Sequence, residues 1–153
     1  MNVYHKIFDG LLKKGMGISN ITDEFFALAV NELFKKEKEG ILIVTPTLYE
    51  ANKMYEMIKN YVDETYLFPM DDFLASQAVA ISPEYLLKRL EVLNELKNND
   101  QKIVVTHLEG YLAHLENISD YNKSYIEIKV NDKITIDQLV KTLIDNGYKS
   151  SKI

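Results

Sequence analysis

The sequence predicts an α/β protein built on a parallel sheet. Short apolar runs alternate with amphipathic helical stretches along most of the chain. That order implies parallel strands joined by right-handed crossovers. The stretch GMGISNITDEFFALAVNELFKKEKEGILIVTPTLYEANKMYEMI, residues 15 to 58, has the layout of a nucleotide-binding unit: a glycine-bearing turn, a helix, a strand and a second helix. It lacks the residues that would hold a phosphate.

The elements follow in order. GMGIS (15–19) suggests a short first strand. In residues 22–37, Phe26, Ala29, Val30, Leu33 and Phe34 fall on one helical face. ILIV (41–44) is a continuous apolar run ending in Thr45-Pro46, as expected of a parallel strand buried on both faces. Thr47 and Glu50 form a capping box, in which each side chain satisfies a free amide at the helix start. The helix it opens stacks Leu48, Ala51, Tyr55, Ile58 and Val62 in one stripe. TYLFP (65–69) and KIVVT (102–106) are further strands. Ser82 is an N-cap with Pro83 at the first helical position. That helix is expected to bury Leu86, Leu90, Leu93 and Leu87. YIEIKV (125–130) alternates as a half-exposed strand does. VNDK (130–133) offers a turn at which a second domain is expected to begin. Thr135 and Gln138 make a second capping box, with Ile134 and Leu139 as a hydrophobic staple. Ile136, Leu139, Val140, Leu143 and Ile144 form its apolar face, and Asn146-Gly147 ends it. This helix needs a cover for its stripe, and the chain is expected to be a piece of a longer protein.

Phosphate chemistry is the first candidate function. A P-loop reads G-x-x-x-x-G-K-[ST], because glycine amides cradle the phosphates and a lysine neutralises them. Gly10 and Gly15 have that separation, but Met16 and Gly17 follow them. Read from Gly17, the loop places Asp23 and Glu24 where Lys and Ser/Thr belong, and two carboxylates there repel a triphosphate. The loop is therefore degenerate, and no cofactor is expected. Asp71-Asp72 follows a strand end like a Walker B pair, but without the lysine it serves no ligand and reads as a solvated turn. His107 and His114 lack a carboxylate at ligand spacing, since Glu109 and Glu116 point elsewhere, so no metal site is expected. His5 is expected to be exposed. Ser19, Ser76 and Ser82 lack a histidine partner and a G-x-S-x-G elbow. No catalytic residue is assigned. The ten tyrosines, among them Tyr49, Tyr55, Tyr61 and Tyr66, match a half-buried stripe better than a base-stacking platform.

Composition narrows the classes further. The 153 residues allow one domain with part of a second, and 46% hydrophobic content supports a core. A formal charge of −5 argues against sequence-independent nucleic-acid binding. The run Lys35-Lys36-Glu37-Lys38-Glu39 mixes signs and reads as a solvated helix end. With no cysteine, disulfides, thiol catalysis and thiolate zinc sites are excluded. No apolar run approaches a membrane span and no signal-peptide pattern opens the chain. A cytoplasmic location is expected.

Several segments together carry a family resemblance: GMGISNITDEFF, ILIVTPTLYEANKMYEMI, YLFPMDDFLASQAVAISPEYLLKRLEVLNEL, KIVVTHLEGYLAHL and IEIKVNDKITIDQLVKTLIDNGYKSSKI. The most specific positions are Phe68, Pro69, Asp72, Ser82, Pro83, Glu84, Arg89 and Leu90, then Lys129, Val130, Asp132, Leu139, Leu143, Gly147 and Tyr148. In order and spacing, from about residue 15 on, they resemble the N-terminal region of the bacterial transcription-repair coupling factors, the Mfd family.

The resemblance implies a helicase-like α/β frame similar to domain 1a of UvrB, with the ATP site lost and UvrB's DNA-clamping hairpin absent. The loop GISNITDE and the short segment MDDFLASQAVAI agree with both. It implies a UvrB-like domain over residues 1–131 and the truncated start of a small α+β UvrA-binding domain over 132–153. In the family the UvrA-binding face lies on strands after the helix ending in Gly147-Tyr148, so no contact residue is carried over. RNA polymerase and DNA are engaged through other domains, and the ATP-driven translocase motor lies much further along. This chain is expected to be non-catalytic. The rival reading is the N-lobe of a helicase or ATPase with an atypical phosphate loop. A third is a flavodoxin-like regulatory domain, for which no acidic pocket is found.

Overall fold

The computed structural model describes residues 8, 15, 17–71, 82–99, 101–115, 117, 119–121, 126 and 128–149. The chain divides into two compact units, Met1–Ala113 and His114–Ile153. The boundary expected between residues 131 and 132 falls inside the second.

In the first unit the described elements run α1 (Asp23–Glu37), β1 (Ile41–Thr45), α2 (Leu48–Lys59), β2 (Thr65–Phe68), α3 (Pro83–Asn98), β3 (Ile103–His107) and α4 (Leu108–Leu112). The strands form a parallel sheet in the order β1-β3-β2. Ile41 lies opposite Ile103, as does Thr65 from the other side. The chain passes outward from β1 to β2 and returns to the middle with β3. Two right-handed crossovers in opposite directions place α2 and α3 on opposite faces.

Local signals start the helices. The Thr22 hydroxyl accepts from Phe25 N–H at 3.3 Å and opens α1. The Thr47–Glu50 capping box is present in full at α2. Ser82 caps α3, with Pro83 in its first turn.

One core forms where α1 and α2 meet the sheet. Ala27, Val30 and Phe34 of α1, with Ala51 and Ile58 of α2, pack on Ile43, Leu67, Ile103 and Val105. Burial of each large aliphatic side chain contributes about 1.5–3 kcal/mol. Phe8 is also buried, its ring 5.2 Å from that of Phe25.

The opposite face departs from expectation. Leu42 and Val44 of β1 are 56% and 42% exposed, so β1 is not buried on both faces. Among the described residues β1 is an edge strand, and α3 packs mainly over β2. Helix α3 also turns differently from the expected phase. Arg89 and Val92 are its buried positions, whereas Leu86, Leu87 and Leu90 are exposed. No strand forms at described residues 17–19, nor at 126 and 128–130.

In the second unit, the turn through Asn131 is held by Lys129 N–H donating to Asp132 Oδ2 at 2.7 Å. Helix α5 (Ile136–Asp145) follows, with the expected Thr135–Gln138 capping box intact. Gly147, at φ +84°, closes it, and Tyr148 N–H donates back to Leu143 O at 3.0 Å. That pattern is the left-handed termination for which glycine is favoured. None of the residues of α5 is buried.

Candidate functional site

Two places could hold function: the loop before α1 and the carboxyl ends of the strands. A helix N-terminus attracts anions through free amides and its dipole. At α1 the N-cap side chain of Thr22 already takes one amide, and Asp23 and Glu24 supply negative charge in the first turn. Lys53 of α2 reaches Asp23 Oδ2 at 2.6 Å. The hydrogen bond and charge of Asp23 raise the Lys53 pKa above its ordinary 10.5. Lys53 is thus paired with a carboxylate at this helix start.

Gly15 and Gly17, which precede the helix, stand in open space. A Cβ built at Gly15 or Gly17 would meet nothing within 4 Å. Gly10 and Met16 lie outside the described residues. Among the described residues, the first turn of α1 presents Asp23 and Glu24.

In open α/β sheets, ligands bind beyond the carboxyl ends of the strands. In this unit several of the polar groups there bond to one another. Thr106 Oγ1 donates to Phe68 O at 2.8 Å. The buried Arg89 donates through Nη1 to Pro69 O at 3.1 Å. Asp71 Oδ2 accepts from Ser82 N–H at 3.3 Å, which ties the end of β2 to the start of α3. Asp71 is therefore a structural acceptor rather than a free turn residue; Asp72 lies outside the described residues, as does Ser76. Gly110 of α4 fits against this knot so closely that a Cβ would sit 2.3 Å from Thr106 Oγ1.

His107 ends β3 and is wholly buried. Both ring nitrogens lack a hydrogen-bond partner, and Nε2 lies 3.5 Å from Glu109 Oε2. Glu109 therefore points toward His107, contrary to the sequence-based expectation. No group of three His, Asp or Glu side chains able to hold a metal occurs among the described residues. His5 and Glu116 lie outside them.

The burial of Arg89 and His107 was not read from the sequence. The i, i+4, i+7 spacing of Tyr85, Arg89 and Val92 was the available signal, and an arginine in that stripe masked it. Phe68, Pro69, Ser82 and Arg89, singled out by resemblance, converge at the carboxyl end of β2.

The chain is similar over most of its length to curated proteins named "Transcription-repair-coupling factor". The relative from Bacillus subtilis strain 168 is 26% identical over 153 residues, 98% of this chain and 13% of its own length. The one from Staphylococcus haemolyticus strain JCSC1435 is 23% identical over 138 residues, 89% of this chain and 12% of its own. A third, from Staphylococcus aureus strain RF122, is 22% identical over 126 residues, covering 81% and 11%. The chain thus spans about an eighth of the length of these relatives. No family model matches the chain, and no solved structure matches it significantly.

Proposed function

We propose that this chain is the N-terminal, UvrB-like scaffold region of a transcription-repair coupling factor, and that it catalyses nothing itself. The observation that carries the reading is the Asp23–Lys53 pair at the start of α1, set beside the similarity to coupling factors along the chain. A helicase-type frame with a carboxylate where phosphate would bind keeps its architecture and forgoes the nucleotide. In this reading residues 1–131 form the UvrB-like domain and 132–153 open the domain that recruits UvrA. DNA translocation and displacement of RNA polymerase belong to other parts of the longer protein.

Calorimetric titration with ATP and Mg²⁺ tests the first half. The expected result is no saturable heat; tight binding would establish the rival reading, a helicase N-lobe with an atypical loop. A pull-down comparing this chain with one extended through the strands after Tyr148 tests the second. The longer form is expected to retain UvrA much better, and equal retention would place the binding face within these residues.

A further inference from the structure

The sheet face on which α3 packs carries an apolar trough over β1, independent of the loop before α1. Side chains alternate along a strand, so Leu42 and Val44 stand on the face opposite Ile43, which packs in the core. Val104 of β3 lies beside Leu42 and continues the floor. Helix α3 forms one wall, and its two flanks can be told apart. At 3.6 residues per turn, Lys88 and Glu91 lie on one side of the buried Arg89–Val92 line, and Leu86 and Leu90 on the other. Lys88 and Glu91 line a cavity with Tyr66 of β2 and with Tyr55 and Lys59 of α2. Helices α2 and α3 cover opposite faces, so a cavity that touches both lies at the outer edge of β2. Leu86 and Leu90 therefore point the other way, across β3 toward β1.

Leu42, Val44, Leu86 and Leu90 are all exposed, and Leu87, the outermost leucine of α3, is 66% exposed. With Leu108 and Leu112 of α4, they present roughly 700 Å² of apolar surface. That exceeds the roughly 300–600 Å² of the largest patch on a typical monomer. It approaches the roughly 800 Å² that each partner gives a standard interface. Parallel strands are ordinarily covered on both faces, and the trough has the width of the helix that would cover it. β1 lies two strands from β2, a distance of about 9.6 Å, and neighbouring helices pack about 8–10 Å apart.

We propose that the trough binds α3 of a second copy of this chain. A two-fold axis parallel to the strands, midway between trough and helix, exchanges the two. It lays α3 of each copy over β1 of the other, giving three layers: sheet, helix pair, sheet. Leu87 of each copy then meets the partner's Leu42 and Val44. Leu86 and Leu90 meet their own symmetry mates. Trough and ridge thus belong to one self-complementary surface, the condition for a closed two-fold dimer.

Sedimentation equilibrium of the whole chain across the micromolar range is the test, and a reversible monomer–dimer equilibrium is expected. Leu87→Glu changes a side chain that is already exposed in the single copy, so the fold should persist by circular dichroism. The dimer dissociation constant should rise at least about a hundredfold, because the change counts twice across the axis. Val140→Ser, on α5, should leave it unchanged. The geometry is read by crosslinking. The sequence has no cysteine, so Leu90→Cys introduces a single thiol, which a short bis-maleimide should link to its symmetry mate. Tyr49→Cys, exposed on α2 at the opposite face, should not link. A monomer or an open-ended series throughout the range, a dimer undisturbed by Leu87→Glu, or equal crosslinking at both positions overturns the proposal. So does loss of the dimer in Val140→Ser, which would assign the contact to α5.

Discussion

Gly110→Ala should be among the most destabilising single-methyl changes in this protein. The added Cβ would lie 2.3 Å from Thr106 Oγ1 and 3.2 Å from the Phe68 carbonyl oxygen. The carbonyl belongs to β2 and is fixed by the sheet, so it cannot retreat. The threonine hydroxyl can rotate, but it is the donor to Phe68 O at 2.8 Å. Moving it breaks that bond and leaves the buried hydroxyl short of its acceptor, at a cost of about 1–3 kcal/mol. Residual crowding adds about 1–3 kcal/mol. Better helix propensity of alanine in α4 returns about 1 kcal/mol. The net expectation is a loss of about 1–5 kcal/mol, centred near 3. Urea denaturation followed by far-UV circular dichroism measures it, as a lower midpoint at unchanged slope. The steric account also predicts coupling. In a Thr106→Ala background the obstructing oxygen is gone, and Gly110→Ala should cost less than about 1 kcal/mol, well short of additivity. A Gly110→Ala protein as stable as the parent, or additive behaviour in the double variant, would refute the argument.

Arg89→Ala should destabilise by about 1.5–3 kcal/mol, since a charged donor to the Pro69 carbonyl is lost; the same urea titration reads it. Ile58→Ala should cost about 2–5 kcal/mol as a core cavity, whereas Val140→Ser on the exposed face of α5 should stay within about 0.5 kcal/mol. Thr47→Ala should cost about 0.5–2 kcal/mol by opening the capping box of α2. For Lys53, the pKa in the folded protein is raised by Asp23, so the pair stabilises fully below the ordinary 10.5 and that contribution disappears as pH climbs through the folded value. NMR titration of the Lys53 side chain should show its pKa falling toward 10.5 in Asp23→Asn, and an unchanged titration would contradict the pairing.

The caps and the strand runs were legible in the sequence because they are local. Thr47 and Glu50, or Thr135 and Gln138, are three residues apart, and their hydrogen bonds need no other part of the chain. ILIV, TYLF and IVVT are strands because short β-rich apolar runs sit between helix and turn signals. The missing lysine and the pair Asp23-Glu24 were equally plain. The tertiary structure alone supplied Lys53 as the partner of Asp23, thirty residues away on another helix.

Tertiary structure also decided which side of α3 faces the sheet. Tyr85-Arg89-Val92 and Leu86-Leu90-Leu93 are adjacent stripes on one helix, and periodicity fixes their spacing without choosing between them. The leucine stripe has the greater apolar content, yet Val92 and the stem of Arg89 are buried, because β2 supplies a floor and Pro69 O a partner. The same holds for His107, whose burial follows from the middle position of β3 and the closeness of Gly110. Strand order is set by pairings across sixty residues, and no local pattern encodes it.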